Sequence, residues 1–216
     1  MSDQKIVIID YQMGNIKNVQ QAMTHSGFTV EVSDSFKEIE KAGGLILPGV
    51  GAYRDAIETL AKKGLDRLLK EIIQQGKPLL GICLGMQLLF SLSEENGLYP
   101  GLGIIPGRVV RFSPTLRVPH LGWNQVYYPD QEIREENLLF SGIKSGTYFY
   151  FVHSYYCIPE KEETIIAQSY YQQCFVSAVR RGKVFGVQFH PEKSSTQGLK
   201  LLKNFGEICH AYYSGN

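Results

Sequence analysis

Gly81-Ile82-Cys83-Leu84-Gly85 sets a thiol between two glycines where an apolar run, Pro78 to Gly81, passes without a loop into a helical pattern through Leu84, Met86, Gln87, Leu88, Leu89 and Phe90. A G-x-C-x-G at a strand-to-helix junction has the form of a nucleophile elbow. Such a sharp reversal strains the nucleophile's backbone, and a side chain at either flanking position would strike neighbouring backbone, so glycine is needed on both sides. The thiol then stands at a helix N-terminus, where unpaired amides favour thiolate over thiol and can hold an oxyanion. Cys157, Cys174 and Cys209 lack these surroundings and read as buried structural cysteines.

A thiol nucleophile needs a base, and the base needs a group to orient it. His190-Pro191-Glu192 stands out among the five histidines because it follows a strand pattern, Val184 to Phe189, and carries an acid two residues on. Residues two apart at a strand end project to the same side, which puts Glu192 within reach of the His190 ring. Leu47-Pro48-Gly49-Val50-Gly51 closes another strand with two glycines. Alone it reads as a tight turn, but beside the same crevice its N–H groups are candidate oxyanion donors. His25, His120, His153 and His210 show no metal-ligand spacing, and no phosphate-binding glycine loop occurs at a strand-to-helix junction, so neither metal nor nucleotide cofactor is expected.

The elements that must position these residues change character along the chain. The first half alternates β-branched runs with helical patterns, as in βαβ units feeding a parallel sheet. Strands are predicted at Lys5 to Asp10, Phe28 to Val32, Gly44 to Leu47 and Pro78 to Gly81, with helices through Val19 and Met23, from about Tyr53 to Lys63, and from Leu65 to Gln75. After Ser93, glycine and proline become frequent and the apolar residues alternate as in antiparallel strands. These are expected at Arg108–Phe112, Gln125–Tyr127, Tyr148–Phe151, Thr164–Tyr170, Val176–Arg180 and Val184–Gln188, before a last helix from about Ser195 to Ala211. By analogy with open α/β sheets, the C-terminal strand ends gather over one crevice and bring Cys83 to His190. Tyr148 to Tyr156 holds six aromatic residues in nine positions, and Pro119 to Asn124 holds the chain's one tryptophan. Alternation buries about half of the aromatics, and the rest make a surface of the kind enriched at protein interfaces, which Trp123 and Asn124 extend.

Composition bounds the partners. With 216 residues, 22 Lys plus Arg against 21 Asp plus Glu, and 44% apolar types, the chain reads as one globular domain, 1–216, without the basic footprint of a nucleic-acid binder. No apolar run approaches the ~20 residues of a membrane span, and Met1 to Lys5 lacks a signal-peptide layout. A cytoplasmic protein with reduced thiols is expected.

Taken together, Gly81-Ile82-Cys83-Leu84-Gly85-Met86-Gln87 and Gln188-Phe189-His190-Pro191-Glu192 resemble the class I (triad) glutamine amidotransferases, over nearly the whole chain. The resemblance implies a three-layer α/β fold of flavodoxin-like type, an open mixed sheet that is mostly parallel with an antiparallel extension. It implies that Cys83 attacks the side-chain amide of L-glutamine, that His190 protonates the departing ammonia and later activates water, and that Glu192 orients His190. Gly49, Val50 and Gly51 with Leu84 correspond to the oxyanion site, Gln87 and Glu95 to the holders of the substrate's amino-acid end, and His153, Ser154 and Tyr155 to a strand lining the pocket. Asp10 to Ile16, Pro48 to Tyr53, Pro119 to Asn124 and Tyr150 to Tyr155 are similar to glutaminase subunits that pass ammonia to a (β/α)8 barrel cyclase in histidine biosynthesis. In that branch Met13, Asn15, Trp123, Asn124, Tyr150 and Lys193 fall near the heterodimer interface or its ammonia passage, no cofactor or metal is needed, and the oxyanion segment becomes productive only when the partner holds its own substrate. Gln12 stands where glycine is expected, and Val50 interrupts the Gly-Gly run common elsewhere in the family. Alternatives are a glutaminase of a related amidino-sugar enzyme, a self-sufficient γ-glutamyl hydrolase, and a silent regulatory subunit.

Overall fold

Ile6–Ile9 is buried along its whole length, and its side chains divide between two cores, Ile6 and Ile8 in one, Val7 and Ile9 in the other. A strand covered on both faces must be apolar at successive positions, which is why it reads as an unbroken run. The computed structural model describes residues 5–128 and 135–214. The reading of Met1 to Gln4 as lacking a signal layout lies outside the described residues.

In chain order the helices and strands are β1 (Ile6–Ile9), α1 (Ile16–His25), β2 (Val30–Ser33), α2 (Phe36–Lys41), β3 (Gly44–Gly49), α3 (Tyr53–Lys62), α4 (Leu65–Gln74), β4 (Leu79–Cys83), α5 (Leu84–Leu88), β5 (Phe90–Ser93) and β6 (Tyr99–Pro100). The second half contributes β7 (Ile105–Arg111), β8 (His120–Val126), β9 (Thr147–His153), β10 (Tyr155–Pro159), β11 (Ile165–Tyr170), β12 (Cys174–Arg181), β13 (Val184–Val187) and α6 (Ser195–Ser214). Strands β2, β1, β3, β4 and β13 are parallel neighbours; β12, β10, β7, β5 and β6 continue the sheet, β11 joins β12, and most of these pairings are antiparallel. One core contains residues of α1 and α6, the other residues of α2, α3, α4 and α5, which makes three layers. Strands β8 and β9 form a separate two-stranded sheet.

Three local readings change, and one short helix appears where none was expected. The helix expected through Phe90 stops at Leu88, and Phe90 instead opens β5, paired with Ile105 of β7. Every residue from Leu84 to Phe90 is buried, so no apolar face marks where helix gives way to strand. The aromatic stretch is not one strand: β9 ends at His153, and after Ser154 the chain re-enters the main sheet as β10. Helix α2 has only 6 residues, too few for a period to show. Cys174 is exposed at the start of β12, unlike buried Cys157 and Cys209.

Candidate functional site

Neighbouring strands β3, β4 and β13 run parallel, so their C-terminal ends open on the same side of the sheet, with Gly49 in register with Cys83. Cys83 ends β4 and precedes α5 at φ 54° and ψ −111°, a conformation uncommon for a residue with a side chain. The glycines around it have a measurable cause. A Cβ at Gly85 would lie 1.8 Å from the carbonyl oxygen of Leu47, one at Gly81 2.7 Å from that of Gly85, and one at Gly49 2.8 Å from the Gly85 nitrogen. The elbow is therefore pressed against β3 along its backbone, which is how the thiol is held at the mouth of the crevice.

His190 lies beyond the end of β13 and is 1% exposed. Its Nδ1 meets Glu192 Oε1 at 2.9 Å. The strand periodicity expected to join them is not what does so: β13 ends at Val187, and Pro191–Lys193 forms a 3-10 turn that folds Glu192 back under the ring. Asn15 Nδ2 donates to the same Glu192 oxygen at 3.0 Å, so a residue carried from the resemblance as an interface position also steadies the carboxylate. Burial disfavours the charged form of His190, but the neighbouring Cys83 and the bond to Glu192 more than offset it, so its pKa lies above the ordinary value. The ring is therefore favoured as the imidazolium.

Beside this pair is a cavity of about 250 Å³ lined by Cys83, Gln87, Glu95, Ser154, Tyr155 and His190 among others, with Val50 and Gly51 on its wall. Gln87 Nε2 donates to Tyr155 O at 3.1 Å and to Gln188 Oε1 at 3.0 Å, and Gln188 Nε2 lies 3.7 Å from Cys83 Sγ. Gln188, fully buried, was legible only as part of a motif; nothing in its spacing announces a contact with the thiol. Burial raises the Glu95 pKa, so its carboxylate gains by meeting a cation, as an amino-acid ammonium would be. His153 lines the cavity too, but both its ring nitrogens are occupied, Nδ1 by Tyr155 O at 2.8 Å and Nε2 by His120 Nδ1 at 3.0 Å.

The oxyanion candidates are held from beneath. Tyr11, fully buried, donates its hydroxyl to Pro48 O at 2.7 Å, and burial keeps the phenol protonated for that role. Gln12 adopts φ 68°, the left-handed turn glycine would have taken, with its N–H bonded to Asp10 Oδ1 at 2.9 Å. Leu84, 3% exposed, provides the first helical position after the thiol, whereas Val50 is 41% exposed at the rim. The surface residues separate. Trp123 packs edge-on to Tyr150 at 6.2 Å and Lys193 Nζ lies 5.8 Å from the Tyr150 ring centre, making one cluster. Met13 approaches Gly51, and Asn124 turns partly inward. Tyr150 joins surface to site, since its carbonyl accepts the His190 N–H at 2.8 Å.

Burial lowers the pKa of His120 to about 4 and that of His153 to about 3, where the Tyr155 bond opposes the shift and the charges of His120 and His190 add to it. Both rings are therefore neutral in the fold, while unfolded histidine protonates near ~6.5. As pH falls below that value the unfolded chain takes up protons first, so stability drops toward pH 4, by up to about tenfold in the folding constant per pH unit for each ring. His190, with its raised pKa, is charged in both states there and adds no slope. Urea unfolding at pH 7 and 5 checks the loss, and imidazole NMR signals of His120 and His153 should stay flat from pH 8 to 5. A midpoint near 6.5 for either ring would contradict this reading.

Comparison with known proteins follows the same lines. The family model for glutamine amidotransferase class-I matches residues 7–209. The imidazole glycerol phosphate synthase subunit HisH of Moorella thermoacetica is 52% identical, over 98% of this chain and 99% of that protein. Its namesake in Methanosarcina acetivorans is 47% identical, over 95% and 99%. Among solved structures, a putative GMP synthase subunit from Thermoplasma acidophilum superposes with a TM-score of 0.74 at 21% identity, over 99% of this chain and 98% of that one. PurLQS from Thermotoga maritima gives 0.73 at 16%, over 98% and 99%.

Proposed function

Because the chain belongs to the class I glutamine amidotransferases, and within them to the imidazole glycerol phosphate synthase subunit HisH family, we propose that Cys83, His190 and Glu192 are its catalytic triad and glutamine its substrate. Cys83 Sγ attacks the side-chain carbonyl carbon of glutamine. The tetrahedral oxyanion is met by backbone amides at Leu84 and in the Gly49–Gly51 segment. As the C–N bond breaks, the imidazolium of His190 gives its proton to the leaving nitrogen and ammonia departs. Water then attacks the thioester while neutral His190 takes its proton; the C–S bond breaks, and glutamate and the Cys83–His190 pair are restored. Glu192, steadied by Asn15, keeps the imidazole oriented throughout. Glu95 and Gln87 hold the amino-acid end of the substrate, with Ser154 and Tyr155 forming the wall behind it.

The observation that carries this reading is the 2.9 Å His190–Glu192 pair poised over the same cavity as an elbow cysteine. The ammonia serves a cyclase subunit in histidine biosynthesis, and we place the docking of a (β/α)8 barrel, as a heterodimer, on the Trp123, Tyr150 and Lys193 cluster with Met13, Asn15 and Asn124 nearby. Among the described residues no helix is long and apolar enough to cross a membrane, and a cytoplasmic setting fits a biosynthetic glutaminase. We read residues 1–216 as one glutaminase domain, the family model for which matches residues 7–209.

A glutamine analogue with an electrophilic side chain should label Cys83 alone, once per chain, and glutamine should protect it. Glutamine hydrolysis should be slow for the isolated chain and faster with the cyclase and its ribonucleotide. An unlabelled Cys83 would point to a silent subunit, and rapid turnover by the isolated chain to a self-sufficient hydrolase.

A further inference from the structure

His120 opens β8 and His153 closes β9, and the two are direct cross-strand partners. They are 4% and 6% exposed, with Phe112, Phe151 and Phe175 around both rings and Tyr171 against His120 at 4.3 Å. Phenylalanine would fill such an aromatic box without the cost of burying imidazole nitrogens. The nitrogens are placed, however, so that every one of them is used.

The bonding pattern admits one assignment of protons. Tyr155 O can only accept, so His153 Nδ1 carries the hydrogen, and Nε2 of the neutral ring must accept. His120 Nδ1 is then the donor across 3.0 Å, which leaves His120 Nε2 as acceptor for the Asn124 amide at 3.2 Å. Asn124 is oriented independently, since its nitrogen also donates to Tyr170 O at 3.0 Å and its oxygen accepts the Gln125 N–H at 2.8 Å. Donors therefore run in one direction, from Asn124 through His120 and His153 to Tyr155 O. An added proton would set two N–H groups facing each other, and the lowered pKa values of both rings agree with a pair that stays neutral.

This chain ends where the glutamine pocket begins. Tyr155 O also accepts Gln87 Nε2, which bonds Gln188, which in turn approaches Cys83 Sγ. The bond from His153 to Tyr155 spans Ser154, the residue at which the backbone leaves the small sheet for the main one. At the far end, Asn124 follows the exposed Trp123 directly.

The geometry points to His120 as a positioning residue for glutamine: by donating from Nδ1 to His153 it fixes the Ser154–Tyr155 wall against Gln87, and it ties that wall to the strand that carries Trp123. It touches neither the thiol nor the cavity and acts through His153. This inference rests on the glutaminase reading above and deepens it.

The test compares three replacements in the full chain assembled with its cyclase. His120→Phe keeps the ring shape and removes the donor; His120→Asn retains a donor near the Nδ1 position; His120→Gln places its amide farther out, near Nε2. Phe and Gln should lower kcat/KM for glutamine about tenfold, chiefly through KM, while Asn restores most of it and ammonium-supported synthesis stays unchanged in all three. In the full chain alone, labelling of Cys83 by the electrophilic glutamine analogue should slow about tenfold in Phe and Gln, with iodoacetamide alkylation unaffected, because the wall moves and the thiol does not. Should His120→Phe fail to fold, the Asn and Gln pair still decides. Equal kcat/KM for Asn and Gln, a folded Phe variant with wild-type kcat/KM, or equal slowing of both reagents would overturn the inference. A wild-type complex without glutaminase activity would instead overturn the glutaminase reading itself.

Discussion

Replacing Cys83 with alanine abolishes glutamine hydrolysis by the assembled complex, by roughly 10⁴-fold or more, and leaves synthesis from added ammonium salts in place. The expected size follows from the chemistry. No other group at the cavity can form the thioester, so the variant retains only what binding and the oxyanion amides contribute, and removal of a covalent nucleophile is among the largest single losses an enzyme shows. The structure indicates that little else changes. Alanine keeps the Cβ and so occupies the same φ 54° conformation, and the sulfur's own contacts are long, 3.7 Å from Gln188 Nε2 and 3.9 Å from Val152 O. The fold, and with it the proposed docking face and ammonia passage, is therefore retained, which is why the ammonium-supported reaction is the informative control. Steady-state glutamine hydrolysis and ammonium-dependent product formation, measured on one preparation, check both halves. Loss of both activities in a folded, correctly assembled complex would remove Cys83 from the role given to it, as would residual hydrolysis above about a hundredth of wild type.

The parts of this site that could be read from sequence are those whose cause is local. Gly81, Cys83 and Gly85 announce an elbow because a sharp reversal tolerates nothing larger beside the thiol, and the structure gives the distances that forbid a Cβ. The parallel half of the sheet was legible for a similar reason, since strands buried on both faces must be apolar at every position. What escaped depends on contacts between distant segments. Gln188 meets Gln87 and approaches Cys83, Tyr11 meets Pro48, and Asn15 meets Glu192 across 177 positions; none of these residues differs in type or spacing from an ordinary polar residue. The His190–Glu192 pair shows how a correct pairing can have the wrong cause, because a 3-10 turn and not strand alternation brings the carboxylate to the ring. Phe90 and Ser154 mark another limit. The first begins a strand inside a run buried on every side, and the second is where an aromatic segment changes sheets, so in neither case does periodicity place the boundary.

Gly85→Ala should cost more than any propensity argument allows. Position 85 lies inside α5, where alanine is favoured over glycine by about 1 kcal/mol, so judged as a helix residue the change is stabilising. The added methyl, however, would stand 1.8 Å from the Leu47 carbonyl oxygen and 2.8 Å from the carbonyl carbon. Those atoms belong to β3, whose Leu47, Pro48 and Gly49 are in register with Gly81, Ile82 and Cys83 of β4. Relief therefore requires the elbow and β3 to part, which loosens the pairing that sets Gly49 beside Cys83 and spoils the approach of the proposed oxyanion segment to the thiol. A net loss of about 3 kcal/mol in stability is expected, the upper end of overpacking costs, together with a fall of about a hundredfold in glutamine turnover, the scale of a misplacement near 1 Å at a reacting centre. Gly103→Ala separates crowding from backbone strain. Gly103 has φ +65° with no atom within 4 Å of the added Cβ, so only the left-handed penalty of about 1–2 kcal/mol applies and turnover should stay at the wild-type level. Urea unfolding and glutaminase rates for the two variants, measured side by side, test the difference. If Gly85→Ala matched Gly103→Ala in both, the close contact between the elbow and β3 could not be what holds the thiol in place.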